Sequence, residues 1–333
     1  MEKDSRTYIA GHTGLLGSAL LRKCHEHGYT NVITRTHGDL DLCDAAATGA
    51  FFAQERPEYV FLAAAKVGGI LANQNYPANF IYTNLMIETS VIEAARRHGV
   101  KRLLFFGGTC AYPRECPQPM REEYLLTGPV EPSSEAYAIA KIAGMKLCQA
   151  YNAQYGTEFL SIIPATLYGP NDNFDFESGH VLSALVRRFH EANVSAKPGS
   201  EPDPVAIWGT GAPRREFLYA DDAAEACILL ANLSSDALSS LFHPPAYVIN
   251  VGSGSDVTIA ELAALVRSVV SFSGGMVFDT AKPDGTPRKL LDSSAFYRIG
   301  WKPQVSLDEG IRRTYEWYRN KVQSSEFSTV TPR

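Results

Sequence analysis

The chain has 333 residues, 45% of them apolar, and a formal net charge of −5; this length exceeds the usual single core and predicts two associated lobes. An acidic chain without a concentrated basic patch excludes nucleic acid and anionic membrane as partners, and no run reaches the roughly 18 apolar residues of a membrane span. Six scattered cysteines, Cys24, Cys43, Cys110, Cys116, Cys148 and Cys227, show neither CxxC pairs nor zinc spacing. With a charged N-terminus that lacks an apolar leader core, they predict free thiols, no metal and a cytosolic location.

From residue 6 short β-rich runs alternate with longer helical ones: "RTYIAG", a helix over 15–28, "NVITR", a helix over 45–55, "EYVFLAAA", a helix over 77–98, and "KRLLFFGG". The middle runs are nearly continuous apolar segments, as in parallel strands covered on both faces. A helix over 134–155 and the strand "EFLSIIPA" continue the pattern. The repeat predicts an α/β fold, a Rossmann-like doubly wound parallel sheet with a smaller α/β substrate-binding lobe. The polar stretches 171–180 and 195–204 read as loops bordering that second lobe. Short strands "VAIWG", "REFLYADD", "YVINVGSG" and "MVFDTA" then mix with helices over 221–232, 258–271 and 306–321, and the tail "SSEFSTVTPR" reads as frayed. Residues 1–170 are expected to form the nucleotide-binding domain, with a return to it around 215–255, and 171–333 the smaller lobe.

The first strand runs into "YIAGHTGLLGSALLRKC", which places Gly11, Gly14 and Gly17 at the strand-to-helix turn. Glycines there let the backbone turn tightly and approach a pyrophosphate resting on the positive end of the helix dipole. The GxxGxxG spacing therefore predicts a dinucleotide site. The second strand ends in "ITRTHGDL", where Arg35, with His37 near it, replaces the acidic residue that would pair with a free ribose 2′-hydroxyl, which points to NADP. Asp44 either lies near the adenine or caps a helix, two roles that read alike in sequence. Further on, "SSEAYAIAKIAGMKLC" sets Tyr137 and Lys141 four apart on a helix, so both project from one face. A nearby ammonium favours the phenolate and brings the tyrosine, ordinarily near pKa of about 10, towards its working range as a proton donor.

The glycine motif, the YxxxK helix and the strand ending at residue 107 resemble the extended short-chain dehydrogenase/reductase family. Within it, "AAAKVGGILANQNYPANFIYTN", "EAYAIAKIAGMKLC", "LYGPNDNF" and "KPDGTPRKLLD" are similar to the branch that epimerises and reduces GDP-4-keto-6-deoxy-D-mannose. The resemblance spans roughly residues 5–320. It implies proton exchange at carbons 3 and 5 of the keto-hexose, then hydride transfer from NADPH to carbon 4, in a homodimer built through the helices near 77–98 and 134–155. It assigns the epimerising pair to Cys110 and His180, the ketone's proton donor to Tyr137, and the nicotinamide ribose to Lys141. Pro164, Leu167 and His180 join the cofactor contacts. Cys110 follows a strand end, where neighbouring dipoles or charge can tune a partly exposed thiol towards thiolate. Arg188, Arg215 and Lys289 are matched to diphosphate and sugar contacts, Trp208 to a ring face near the nucleotide, and Asp284 to the ribose or sugar hydroxyls. Arg187, Arg214 and Arg288, as their neighbours, are expected to point elsewhere. "KVGG" (66–69) and "NYPANF" (75–80) are expected to line the pocket mouth.

One position departs from the pattern. Where the family carries a serine that binds the carbonyl oxygen, this chain has Gly108 in "FFGGTCAYP". Thr109 follows it, but successive residues at a strand end face opposite sides. Losing one preorganised oxyanion donor costs on the order of 10²- to 10³-fold in turnover, so a slowed enzyme is expected. Two other readings stand beside this one: an NAD-retaining nucleotide-sugar epimerase or dehydratase, and a cofactor-binding protein without activity, the latter motivated by Gly108.

Overall fold

The computed structural model describes residues 1–176, 178–196, 202–242, 248–282 and 284–324. Its first half alternates β1 (Thr7–Ala10), α1 (Leu15–Glu26), β2 (Val32–Ile33), α2 (Ala45–Glu55), β3 (Tyr59–Leu62), α3 (Ile70–Asn75), α4 (Pro77–Arg97), β4 (Arg102–Phe106), α5 (Glu135–Tyr155) and β5 (Phe159–Pro164). There follow β6 (Thr166–Tyr168), α6 (Val181–Ser195), β7 (Val205–Trp208), β8 (Arg214–Tyr219), α7 (Ala220–Asn232), α8 (Ser235–Ser239) and β9 (Val248–Val251). The chain closes with β10 (Asp256–Thr258), α9 (Ile259–Val270), β11 (Met276–Asp279), β12 (Arg288–Lys289), α10 (Ser294–Arg298) and α11 (Leu307–Gln323).

The main sheet is parallel throughout, in the order β2-β1-β3-β4-β5-β9. Val60, Phe61, Leu62, Leu103, Leu104 and Phe105 are all buried, because helices cover both faces of these strands, as their unbroken apolar runs predict. The strand order reverses between β1 and β3, and the crevice beyond their carboxyl ends is where such sheets bind ligands. A second, smaller sheet joins β8 to β10, β12 and β6, and β7 pairs with β11. Its core gathers Leu182, Val186, Phe189, Phe217, Leu262, Val266 and Ile311.

The chain rejoins the first core through α7 and β9, and again through Leu291, Phe296 and Trp301. That last return lies outside the 215–255 expected from sequence, because the apolar residues that make it are spaced along loops and one short helix without a period to read. The short α3, for which the sequence gives no helix, fills the interval between the 66–69 and 75–80 pieces expected at the pocket mouth. Positions 197–201 of the polar stretch and 325–333 of the tail lie outside the described residues.

Candidate active site

The glycine turn after β1 is sterically committed. Gly11 has φ of +83°, a Cβ there would meet Ala64 N at 2.7 Å, and a Cβ on Gly17 would meet Gly11 O at 2.0 Å. Gly14 caps α1 with no side chain to fill the turn, and the buried His12 Nδ1 has no hydrogen-bond partner among the described residues. Bare N–H groups and space left by absent side chains suit a pyrophosphate. Arg35 lines the same cleft and is steadied by Glu55 Oε1 at 2.5 Å. Asp44, by contrast, caps α2, accepting from the N–H groups of Ala46 and Ala47 at 2.9 Å each, so the capping alternative is the one realised.

A cleft of about 900 Å³ runs from this turn to the second lobe. Its walls include Gly11, Gly14, Gly17, Pro164 and Leu167 at one end, Tyr137, Lys141, Cys110 and His180 in the middle, and Arg188, Trp208, Arg215, Asp284 and Lys289 at the other. Every sequence-assigned site residue therefore faces one space. Of the stretches expected at its mouth, residues 66–69 line it and 75–80 do not; Phe80 is instead buried, packing edge-on against Tyr137 at 6.3 Å.

Three expectations change in detail. Lys141 Nζ lies 5.8 Å from the Tyr137 ring centroid but 3.1 Å from Glu88 Oε1, so its nearest charge is a carboxylate rather than the phenol. Burial, then the charges of Cys110 and Glu88, push the phenol well above its ordinary pKa. The Cys110 thiol is likewise pushed up, by burial that outweighs the opposing Lys289 and Lys141 charges, so in the open cleft it is a thiol and not a thiolate. Asp284 holds Thr210 with both oxygens, Oδ1 to the N–H at 2.9 Å and Oδ2 to Oγ1 at 2.7 Å, and so clamps two loops together at the cleft.

The nucleotide end of the substrate cleft is cationic and aromatic. Arg188 sits 4.7 Å over the Trp208 ring and donates to Ala206 O at 3.0 Å. Lys289 shares a recess with Cys110 and Glu131, and burial pulls its pKa down. The neighbouring arginines are engaged in ion pairs instead: Arg187 pairs with Glu191, and Arg214 and Arg288 both pair with Asp256. At Gly108 the backbone is extended, and a Cβ would stand 3.3 Å from Cys110 Sγ and 3.9 Å from Tyr137 Oη. The side chain missing from this chain would therefore have stood beside the phenol.

Sequence reasoning missed Glu88 and Asn84, both fully buried on α4. Asn84 Oδ1 accepts from Lys66 N–H at 2.9 Å and its amide donates to Lys66 O and Phe80 O, fixing the loop that lines the cleft. A signal existed: residues 84, 88, 91 and 95 fall on one face of the helix, so two polar side chains interrupt an otherwise apolar buried stripe.

A doubly wound parallel sheet, a glycine turn at its reversal point and a Tyr–Lys pair on the helix beside it define a nucleotide-dependent oxidoreductase of the extended short-chain dehydrogenase/reductase class. The model of the NAD dependent epimerase/dehydratase family matches residues 7–252, and the chain belongs to that family. It is 54% identical to GDP-L-fucose synthase 1 of Arabidopsis thaliana, over 96% of this chain and 95% of that protein. It is 49% identical to GDP-L-fucose synthase of Escherichia coli strain K12, over 94% and 96%. A solved GDP-L-fucose synthetase of Naegleria fowleri bound to NADP superposes with a TM-score of 0.85 at 27% identity, covering 97% of each chain.

Proposed function

We infer that this chain is a bifunctional epimerase/reductase that converts GDP-4-keto-6-deoxy-D-mannose to GDP-L-fucose with NADPH. The observation that carries this reading is near-complete coverage at about half identity with two GDP-L-fucose synthases, joined to a cleft that holds Tyr137, Lys141, Cys110 and His180 together.

The glycine turn and the N-terminus of α1 would hold the pyrophosphate of NADP, and Arg35 the 2′-phosphate. Bound there, the cofactor supplies the hydride for carbon 4. Hydrogens next to a ketone can be exchanged when the enolate oxygen is stabilised. Cys110 and His180 divide that work, one removing a proton from the ring carbon and the other returning one on the opposite face. Tyr137 protonates the carbonyl oxygen as it gains charge. Arg188, Arg215 and Lys289 bind the diphosphate and exclude water from the reacting end, with Trp208 against the nucleotide and Asp284 at the sugar or ribose hydroxyls.

Three coarser features complete the reading. The division into a nucleotide lobe of residues 1–170, with returns near 215–255 and 291–301, and a smaller lobe is supported by two separate buried apolar clusters. A homodimer through α4 and α5 is supported by the exposed rings of Tyr82 and Tyr155, and is checked by light scattering. No helix among the described residues is long and apolar enough to cross a membrane, and the six free cysteines suit a reducing, cytosolic compartment.

The deciding experiment is product analysis in heavy water with and without NADPH. Solvent deuterium at carbons 3 and 5 without cofactor, followed by NADPH-dependent loss of the ketone, is the expected result. Reduction without exchange, or tight retention of oxidised cofactor, contradicts the reading.

A further inference from the structure

Beneath the reactive helix lies an ion pair that no step above uses. Glu88 on α4 and Lys141 on α5 are 1% and 2% exposed, with Glu88 Oε1 3.1 Å from Lys141 Nζ. Neither carboxylate oxygen has a hydrogen-bond partner among the described residues, so charge attraction alone joins the pair. Room for the carboxylate is made by the absence of a side chain at Gly144, where a Cβ would come within 2.7 Å of Oε2. The Phe105 ring stands 4.8 Å from the ammonium. A buried carboxylate with so few donors does not earn its place through stability, since an apolar residue of similar volume would serve the fold as well or better. What it does do is fix a flexible ammonium at one point behind Tyr137.

We propose that Glu88 is a positioning residue of the reduction: it is the counter-ion that anchors the Lys141 ammonium and sets the net charge that Tyr137 faces. With Glu88 ionised, the pair presents the phenol with a carboxylate and an ammonium that largely cancel. Without that carboxylate, the phenol faces a bare positive charge, which favours its anion. The other ionisable groups in reach are Tyr137 and Cys148 on α5 and Cys110 on the turn after β4, and Lys289 acts on Cys110 from the second lobe. Burial raises the Glu88 carboxyl to about 7, with Lys141 opposing, so the charge of the pair is open to change in the neutral range.

The inference rests on Tyr137 as the acid, and the test separates the two. Glu88→Gln keeps the shape and removes the charge. An acid that must be protonated loses activity as pH rises through its pKa. The alkaline limb of kcat/KM for NADPH-dependent reduction is therefore expected to move to lower pH by about one unit in this variant. In the cofactor-free protein, the tyrosinate absorbance assigned to residue 137 by subtraction of Tyr137→Phe should move in the same direction. A folded Glu88→Gln with both profiles unmoved overturns the proposal. Should Glu88→Gln not fold, Glu88→Met, which also removes the charge at similar volume, decides: a shift in the same direction supports the proposal, and profiles matching the parent overturn it. If the parent reduces no keto-sugar, the reading of the reaction fails, while the tyrosinate titration still decides the charge coupling.

Discussion

Gly108 is the residue at which chemistry and sequence diverge. A serine there would place its Cβ 3.9 Å from Tyr137 Oη and 3.3 Å from Cys110 Sγ, a close but yielding contact because a thiol rotates freely. Gly108→Ser is expected to raise the rate of ketone reduction by about tenfold or more, as one oxyanion donor is restored. Stopped-flow loss of NADPH absorbance measures it, and an unchanged rate would mean that Thr109 or a water already supplies the donor. At Cys110 the prediction separates the half-reactions. Cys110→Ser is expected to reduce solvent deuterium uptake by about 10² or more, while reduction of a substrate that is already epimerised persists. Mass spectrometry of the product reads the first and cofactor oxidation the second; equal loss of both would argue against an acid–base role for the thiol.

At the scale of elements, the helices are specified at their ends as well as along their faces. Asp44 caps α2 through two backbone N–H groups, and Thr258 and Glu261 close a reciprocal capping box on α9. Asp44→Ala is expected to lower unfolding stability by about 1 kcal/mol and leave NADPH affinity unchanged. Urea unfolding and a cofactor titration check the two halves, and a weakened cofactor would revive the adenine contact. The joint between β4 and α7 depends on buried Arg102, whose Nη1 donates to the carbonyls of Leu230, Ala231 and Leu233 while its Nε and Nη2 hold Glu158. It satisfies the last carbonyls of a helix whose own turn has ended. An arginine before an apolar strand gives no such hint in sequence, since the carbonyls it satisfies lie about 130 residues downstream.

For the whole molecule, the buried acids decide the response to pH. Burial raises Glu88 to about 7 and pushes Glu122, Glu216 and Asp222 in the same direction. A carboxyl whose folded pKa is raised takes up its proton in the folded state first. Its contribution is complete below the ordinary carboxylate range and is lost as pH climbs through the folded value. Glu93 behaves oppositely: hydrogen bonds from Arg96, Tyr151 and Arg97 hold it down to about 2, and its contribution is lost only in stronger acid. The thermal midpoint is therefore expected to rise on going from about pH 8 to about pH 5.5 and to fall below about pH 4. Calorimetry across that range checks it, and a midpoint that falls steadily from pH 8 would contradict the sign.

The sequence alone determined what depends on local rules. Unbroken apolar runs alternating with longer helical segments, and the glycine spacing at residues 11, 14 and 17, specified the parallel sheet, its long helices and the dinucleotide turn. The i, i+4 spacing of Tyr137 and Lys141 put both on one helix face. What only the tertiary structure decided is how those groups are charged and where they meet. Glu88 claims the ammonium that spacing alone assigns to the phenol. Burial keeps Cys110 protonated, and Thr210 occupies both oxygens of Asp284. Each of these depends on desolvation or on a partner far along the chain, and such effects arise only when separate elements pack.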